Sequence, residues 1–273
     1  DVYRDIMPSL GGYLTKKSKI HMPRVELFIQ EIGRREPLYF QQRATDEKEP
    51  RYAEDGYKEF YYQHKLGFTD LKDTPSGAEG DAVAAAGNED VQVEPEVFQG
   101  ITKFGTVEEN KSQLIKSYIE GLAWVLEYYH NGCGSWTWYY PYLYAPLASD
   151  LRNLGSIPLV FEQGQPFTPL MQLLSVLPPQ SGSFLPASYE RLMVSPDSPL
   201  QPYYPPDFSV DPNGKKNSWE AVVQIPFINE ESLVEAVSAI NHNEELKRTE
   251  RLRNIPGMQH SFKPKKKHVD ATQ

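Results

Sequence analysis

The chain has 273 residues, 39% of them hydrophobic, and a net charge of −9, enough for one large or two small domains. It holds no apolar run of the roughly 18 residues that a membrane helix needs, and its acidity argues against a free-standing module that grips nucleic acid by charge alone. The single cysteine, Cys133, excludes an internal disulfide and suits an intracellular chain. Asp1 stands where a start methionine would, with no leader pattern behind it, and reads as a cut edge.

Residues 1–20, with Pro8 and Gly11-Gly12, read as an extended or turning segment. Pro23 opens a helix at a position where its missing N–H costs nothing. Val25, Phe28, Ile29 and Ile32 then recur with helical spacing, until Gly33 and Pro37 stop the pattern. Residues 41–56 are almost free of apolar side chains and read as a linker. A short helix is expected over 56–66, with Phe60, Tyr61 and Leu66 turned inward. The acidic, aperiodic stretch 67–107, and above all 72–97, reads as a flexible insertion, because it cannot bury enough apolar area to offset its ordering entropy.

The central helix starts near Glu108 and ends at Asn131-Gly132, with Ile115, Tyr118, Ile119, Leu122, Val125, Leu126 and Tyr129 along one face. It opens the stretch 117–151, which holds Trp124, Trp136 and Trp138, three of the four tryptophans. Trp124, Trp136, Trp138, Tyr139 and Tyr140 are expected chiefly as structural core, since each such ring can bury about 150–250 Å². A base-stacking platform and a sugar-binding face are the sharper alternatives that residue type alone leaves open.

Prolines punctuate 155–215 and leave room only for short helices at 169–177 and 187–194. Asp211-Pro212-Asn213-Gly214-Lys215 is a turn, and Trp219–Ile228 is a short apolar run, a strand or extended segment. A helix follows Asn229, with Glu230 and Glu231 in its first turn and Leu233, Ala236, Val237 and Ile240 inward. Beyond Arg253 the chain is basic, and 254–273 reads as a disordered tail.

No metal-ligand spacing, phosphate loop or nucleophile motif is present, and none of the six histidines falls in a ligand pattern. A two-metal nuclease needs carboxylates converging on ions about 3.5–4 Å apart, and no such set can be read here.

The string Tyr118-Ile119-Glu120-Gly121-Leu122-x-Trp124-Val125-Leu126-x-Tyr128-Tyr129, followed by Ser135-Trp136-x-Trp138-Tyr139-Tyr140-Pro141-Tyr142, resembles the second conserved region of the Xrn 5′→3′ exoribonucleases. Leu10–Thr15, Pro23–Phe28, Tyr57–Leu66, Phe161–Pro169, Gln172–Pro178, Asn213–Lys215 and Trp219–Ile228 are similar in the same order. The resemblance implies a mainly α fold. It would be an irregular helical domain with long extended Pro-rich segments, packed against an N-terminal nuclease domain outside this chain. It divides the chain into 1–66 and 108–253 as the two parts of the helical region, separated by 67–107.

It also implies an intact protein that hydrolyses single-stranded RNA bearing a 5′-monophosphate, processively, to mononucleotides. The Mg²⁺ ligands would lie upstream of this chain, with no catalytic residue and no metal in the fragment itself. This part would wall the active-site pocket and guide RNA, with Trp219 stacking on bases and Lys215 and Lys216 just before it in the chain; the residues themselves leave a core tryptophan opening a strand as an equal reading of Trp219. Leu143 stands where the family carries His, Leu170-Met171 where it carries Phe-Glu, and Ser18 where it carries Gly; none of these bears on the metal chemistry. The Trp219-Glu220-Ala221-Val222-Val223 motif and the basic stretch Asn241–Asn254 resemble the cytoplasmic mRNA-decay branch rather than the nuclear one. The alternatives are a non-catalytic RNA-binding or scaffold module that retains this region alone, and a sugar- or peptide-binding domain on the aromatic cluster.

Overall fold

The computed structural model describes residues 2–69, 106–258, 260 and 262. The expected insertion at 72–97 and most of the expected basic tail lie outside them. The described residues are mainly helical, with two small antiparallel two-stranded sheets. They fall into two compact units, one of Asp1–Pro166 with Pro205–Asn229, the other of Phe167–Tyr204 with Glu230–Gln273.

The first unit begins with helix α1 (Val2–Leu10), where an extended or turning segment was expected, and Pro8 lies inside it. A short hairpin of β1 (Thr15–Lys16) and β2 (Lys19–Ile20) follows. Helix α2 spans Met22–Asp46 and runs through both Gly33 and Pro37, the two residues expected to stop it. An interior proline costs a helix about 3 kcal/mol. The buried face of Val25, Ile29, Gly33, Phe40 and Ala44 offsets that cost. Gly33 is required there, because a Cβ at that position would stand 2.8 Å from the Ser149 Cα.

The expected linker 41–56 is likewise ordered. It ends α2 and then forms a 3-10 turn, Pro50–Ala53, whose Tyr52 is only 1% exposed. Most of its polar side chains stay exposed, but Arg43 is buried, lies over the Tyr52 ring 4.9 Å from its centroid, and pairs with Glu47. Helix α3 (Tyr57–Leu66) buries Tyr57, Tyr61, Tyr62 and Leu66. These join Phe40, Tyr52, Phe68, Leu114, Tyr142, Tyr144 and Leu147 in one aromatic-rich core.

Helix α4 (Val107–Asn131) starts on a capping box in which Thr106 and Glu109 satisfy each other's backbone N–H groups. Ile119 is buried with Val25, Ile29, Leu151 and Leu154 in a second cluster. Two carboxylates, Glu36 buried and Asp150 half-buried, tie the helices to the segment after the aromatics. Glu36 accepts hydrogen bonds from Tyr57 (3.0 Å) and from the Ser149 hydroxyl (2.6 Å) and N–H (3.1 Å). Asp150 accepts from Tyr62 (2.8 Å) and Lys58 (2.9 Å).

In the second unit, α5 (Pro169–Val176) and α6 (Ala187–Val194) fall where the prolines leave room. Helix α7 (Glu230–Ser238) buries Leu233, Ala236 and Val237 as the spacing requires. Two further short helices follow, α8 (His242–Glu245) and α9 (Arg248–Arg253). Arg191 on α6 pairs with Glu245 at 2.5 Å, and Tyr189 meets His242 at 3.1 Å.

Candidate nucleic-acid interface

In the first unit, strands β3 (Ser209–Asp211) and β4 (Val222–Gln224) pair antiparallel, with Val210 opposite Val223. The connection between them carries Lys215, Lys216 and Trp219. Only a short strand forms at Val222–Gln224, because the connection folds into a 3-10 turn over Ser218–Glu220. That turn lifts Trp219 off the protein, where it is 82% exposed. A core tryptophan opening a strand is therefore not what the fold makes of it. Lys215 and Lys216, four and three residues before it, are exposed as well. The two lysines line a cavity of about 560 Å³ with Asp46, Glu47, Pro212 and Gly214.

The base of this hairpin is held by buried polar groups. Asp211 accepts from Lys65 Nζ at 2.5 Å and from the Tyr144 hydroxyl at 2.6 Å. Burial by itself would raise the Asp211 pKa; the hydrogen bonds from Lys65, Tyr144 and the Asn213 N–H outweigh it and hold the carboxyl below its ordinary value. Gln224 on β4 donates to the same Tyr144 hydroxyl at 3.1 Å. Lys65, Asp211, Tyr144 and Gln224 were not singled out in the sequence. A lysine, an aspartate, a tyrosine and a glutamine far apart in the chain carry no spacing signal.

The aromatic stretch divides. Trp124 stacks on Tyr128 (5.3 Å between centroids) and on Trp138 (6.1 Å), and Phe161 meets Trp138 edge-on. Both indole N–H groups are engaged, Trp124 with the Ser135 carbonyl at 3.0 Å and Trp138 with Glu120 at 3.4 Å. Tyr140 is half-buried and donates to the Tyr144 carbonyl at 2.8 Å. Trp136 and Tyr139 correct the expectation of core, being 52% and 51% exposed. Tyr139 is the immediate neighbour of Trp138 in an extended run and points to the opposite side; Trp136 lies in a bend, where that alternation does not apply. The buried aromatics are instead Tyr142 and Tyr144 after them and the tyrosines of α3.

A second surface of the first unit is apolar. Leu122, Val125 and Tyr129 of α4, expected as a core face, are exposed. With Phe28 and Ile32 of α2 and Leu14 they line an open groove of about 570 Å³.

Among the described residues no three His, Cys, Asp or Glu side chains converge as metal ligands. No described helix is long and apolar enough to cross a membrane.

Residues 98–271 match the family described as the Xrn1 helical domain. The chain is 35% identical to human 5'-3' exoribonuclease 1 over 286 residues, covering 92% of this chain and 16% of the human protein. It is 47% identical over 151 residues to 5'-3' exoribonuclease 2 of Saccharomyces cerevisiae, covering 55% of this chain and 15% of the yeast protein. It is 39% identical over 211 residues to 5'-3' exoribonuclease 2 of Kluyveromyces lactis, covering 77% of this chain and 18% of that protein. The chain thus spans about a sixth of the length of the relatives it matches.

Proposed function

The chain belongs to the Xrn family, whose helical domain it carries, and from that premise we propose that it is part of a 5′→3′ exoribonuclease acting on single-stranded RNA. The substrate end is a 5′-monophosphate and the products are mononucleotides. Within the enzyme this region walls the active-site pocket and receives the RNA at Trp219. Magnesium, the family's metal, would be held by carboxylates elsewhere in the polypeptide.

One observation carries the RNA assignment: a large aromatic ring, almost wholly exposed, stands on a fixed hairpin that also carries two exposed lysines. Base stacking on an aromatic is worth about 1–3 kcal/mol, and lysines nearby neutralise phosphates without reading sequence. In the full-length protein, Trp219→Ala is expected to lower kcat/KM on 5′-monophosphorylated RNA by about 10–100-fold at unchanged Tm. Wild-type activity in that variant, or a loss that only follows unfolding, removes Trp219 from the interface.

The partner of the apolar groove on α2 and α4 is the nuclease domain of the same polypeptide. Supporting this, the relatives are about six times longer than the matched region, and contiguous exposed apolar surface of this kind is characteristic of interfaces. Cytoplasmic location is proposed on the Trp219–Val223 motif and the basic stretch Asn241–Asn254. Microscopy of the tagged full-length protein distinguishes it from the nuclear alternative.

A further inference from the structure

The turn that leads to Lys215, Lys216 and Trp219 is gripped from two sides before it reaches them. On one side Asp211 Oδ2 takes Lys65 at 2.5 Å and Tyr144 at 2.6 Å, while its Oδ1 accepts the Asn213 N–H at 2.9 Å. On the other, Arg43 donates to the Asn213 side chain at 2.6 Å and also pairs with Glu47. Gly214 passes close to the same pair. A Cβ there would stand 3.0 Å from Glu47 Oε1 and 3.4 Å from Arg43 Nε, on a backbone with φ of +74°.

Both cations are buried. Lys65 is 5% and Arg43 6% exposed at the side chain. A buried ion pair is a poor stabiliser compared with apolar side chains of the same size, because desolvation cancels most of the attraction. What such a pair supplies is one fixed geometry. Here that geometry belongs to the start of a loop whose own side chains are exposed and make few contacts. Lys65 comes from α3 and Arg43 from the end of α2, so two rigid helices set the loop's direction.

We propose that Asp211 and Arg43 are positioning residues that aim Trp219 at RNA, Asp211 through its bond to Lys65 and Arg43 through Asn213. The proposal rests on the reading of Trp219 as an RNA contact. Neither residue touches substrate; each acts through the loop.

The test is a set of double-mutant cycles in the full-length protein, with kcat and KM measured on 5′-monophosphorylated single-stranded RNA. Asp211→Asn and Arg43→Lys are each made alone and in a Trp219→Ala background. Arg43→Lys keeps the charge and loses only the guanidinium fork, so it serves if Asp211→Asn folds poorly. Each single variant is expected to lower kcat/KM about 5–20-fold, and by less than about twofold once Trp219 is gone. A purely structural role gives the same fold-loss in both backgrounds and overturns the proposal. So does wild-type kinetics in both single variants while Trp219→Ala is impaired, and in that case the RNA contact itself stands. If Trp219→Ala is fully active, the RNA contact fails and the positioning role falls with it.

Discussion

Gly33 on α2 and Ser149 approach so closely that a side chain on the glycine has no room: its Cβ would lie 2.8 Å from the Ser149 Cα and 3.0 Å from its N. The neighbour is backbone, and it cannot rotate away. Ser149 is also fixed by Glu36, which accepts both its N–H and its hydroxyl. Gly33→Ala must therefore displace α2 from the segment that follows the aromatic stretch. A loss of about 1–3 kcal/mol is expected, the usual cost of overpacking. Gly155→Ala is the control, since nothing lies within 4 Å of a Cβ there. Denaturant melts of the two variants check it; equal stability would mean that α2 and Ser149 can move apart freely.

Tyr52 and Tyr62 form a natural pair for separating ring from hydroxyl. Both rings are buried in the same cluster. The Tyr62 hydroxyl donates to Asp150 at 2.8 Å and accepts the Leu147 N–H at 3.1 Å. The Tyr52 hydroxyl is buried and has no hydrogen-bond partner among the described residues, and burial pushes its pKa up to about 12. Tyr52→Phe is expected to be neutral or stabilising by up to about 1 kcal/mol, and Tyr62→Phe to cost about 1–3 kcal/mol. Thermal melts decide between them, and a loss in Tyr52→Phe as large as in Tyr62→Phe would contradict the assignment.

How much of this was legible in the sequence depends on whether the signal was local. The start of α4 near Glu108, the proline-bounded helices α5 and α6 and the acid-led α7 follow from neighbouring residues and fall where expected. Gly33 and Pro37 misled because a helix stop is a local cost, and the packing that outweighs it comes from Ser149 and the core around Phe40. The stretch 41–56 misled for a related reason. Its burial depends on Arg43 lying over Tyr52 and reaching Asn213, a residue 170 positions away. For Trp219, stacking surface and buried core were equal readings of the sequence, and the 3-10 turn leaves the ring in solvent. Asp211 and Asn213 were legible only as turn residues, and Lys65, Tyr144 and Arg43, which grip that turn from distant parts of the chain, had no local signature.

Asp211 makes the loop's anchor sensitive to acid. Its carboxyl titrates below the ordinary value of 3.8, so the folded state binds fewer protons there than the unfolded chain. Its contribution is complete above about pH 5 and is lost as pH falls below 3.8 through the folded value. Asp211→Asn removes the charge at every pH, leaving Lys65 without its anion. The stability gap between wild type and variant is expected to be about 1–3 kcal/mol and flat from pH 8 to about 5, then to narrow below about pH 4. Melts across that range test it; a gap that widens in acid would mean that the carboxyl is protonated in the fold.

The apolar face of α4 gives the last test. Leu122, Val125 and Tyr129 have the spacing of a core face, yet the first unit leaves them open with Phe28 and Ile32 across the groove. Helical periodicity reports that a face is to be covered; it does not say by what. If the nuclease domain covers it, a charge placed there is buried without a partner in the full-length protein, at a cost of several kcal/mol. Val125 is 47% exposed, so Val125→Asp has little to disrupt within the helical unit itself. Val160, 78% exposed in the same unit but outside the groove, provides the matched control. In the full-length protein Val125→Asp is expected to lower Tm and increase protease cleavage between the domains, while Val160→Asp leaves both unchanged. Equal, small effects of the two substitutions would show that the groove stays open to solvent and that the nuclease domain docks elsewhere.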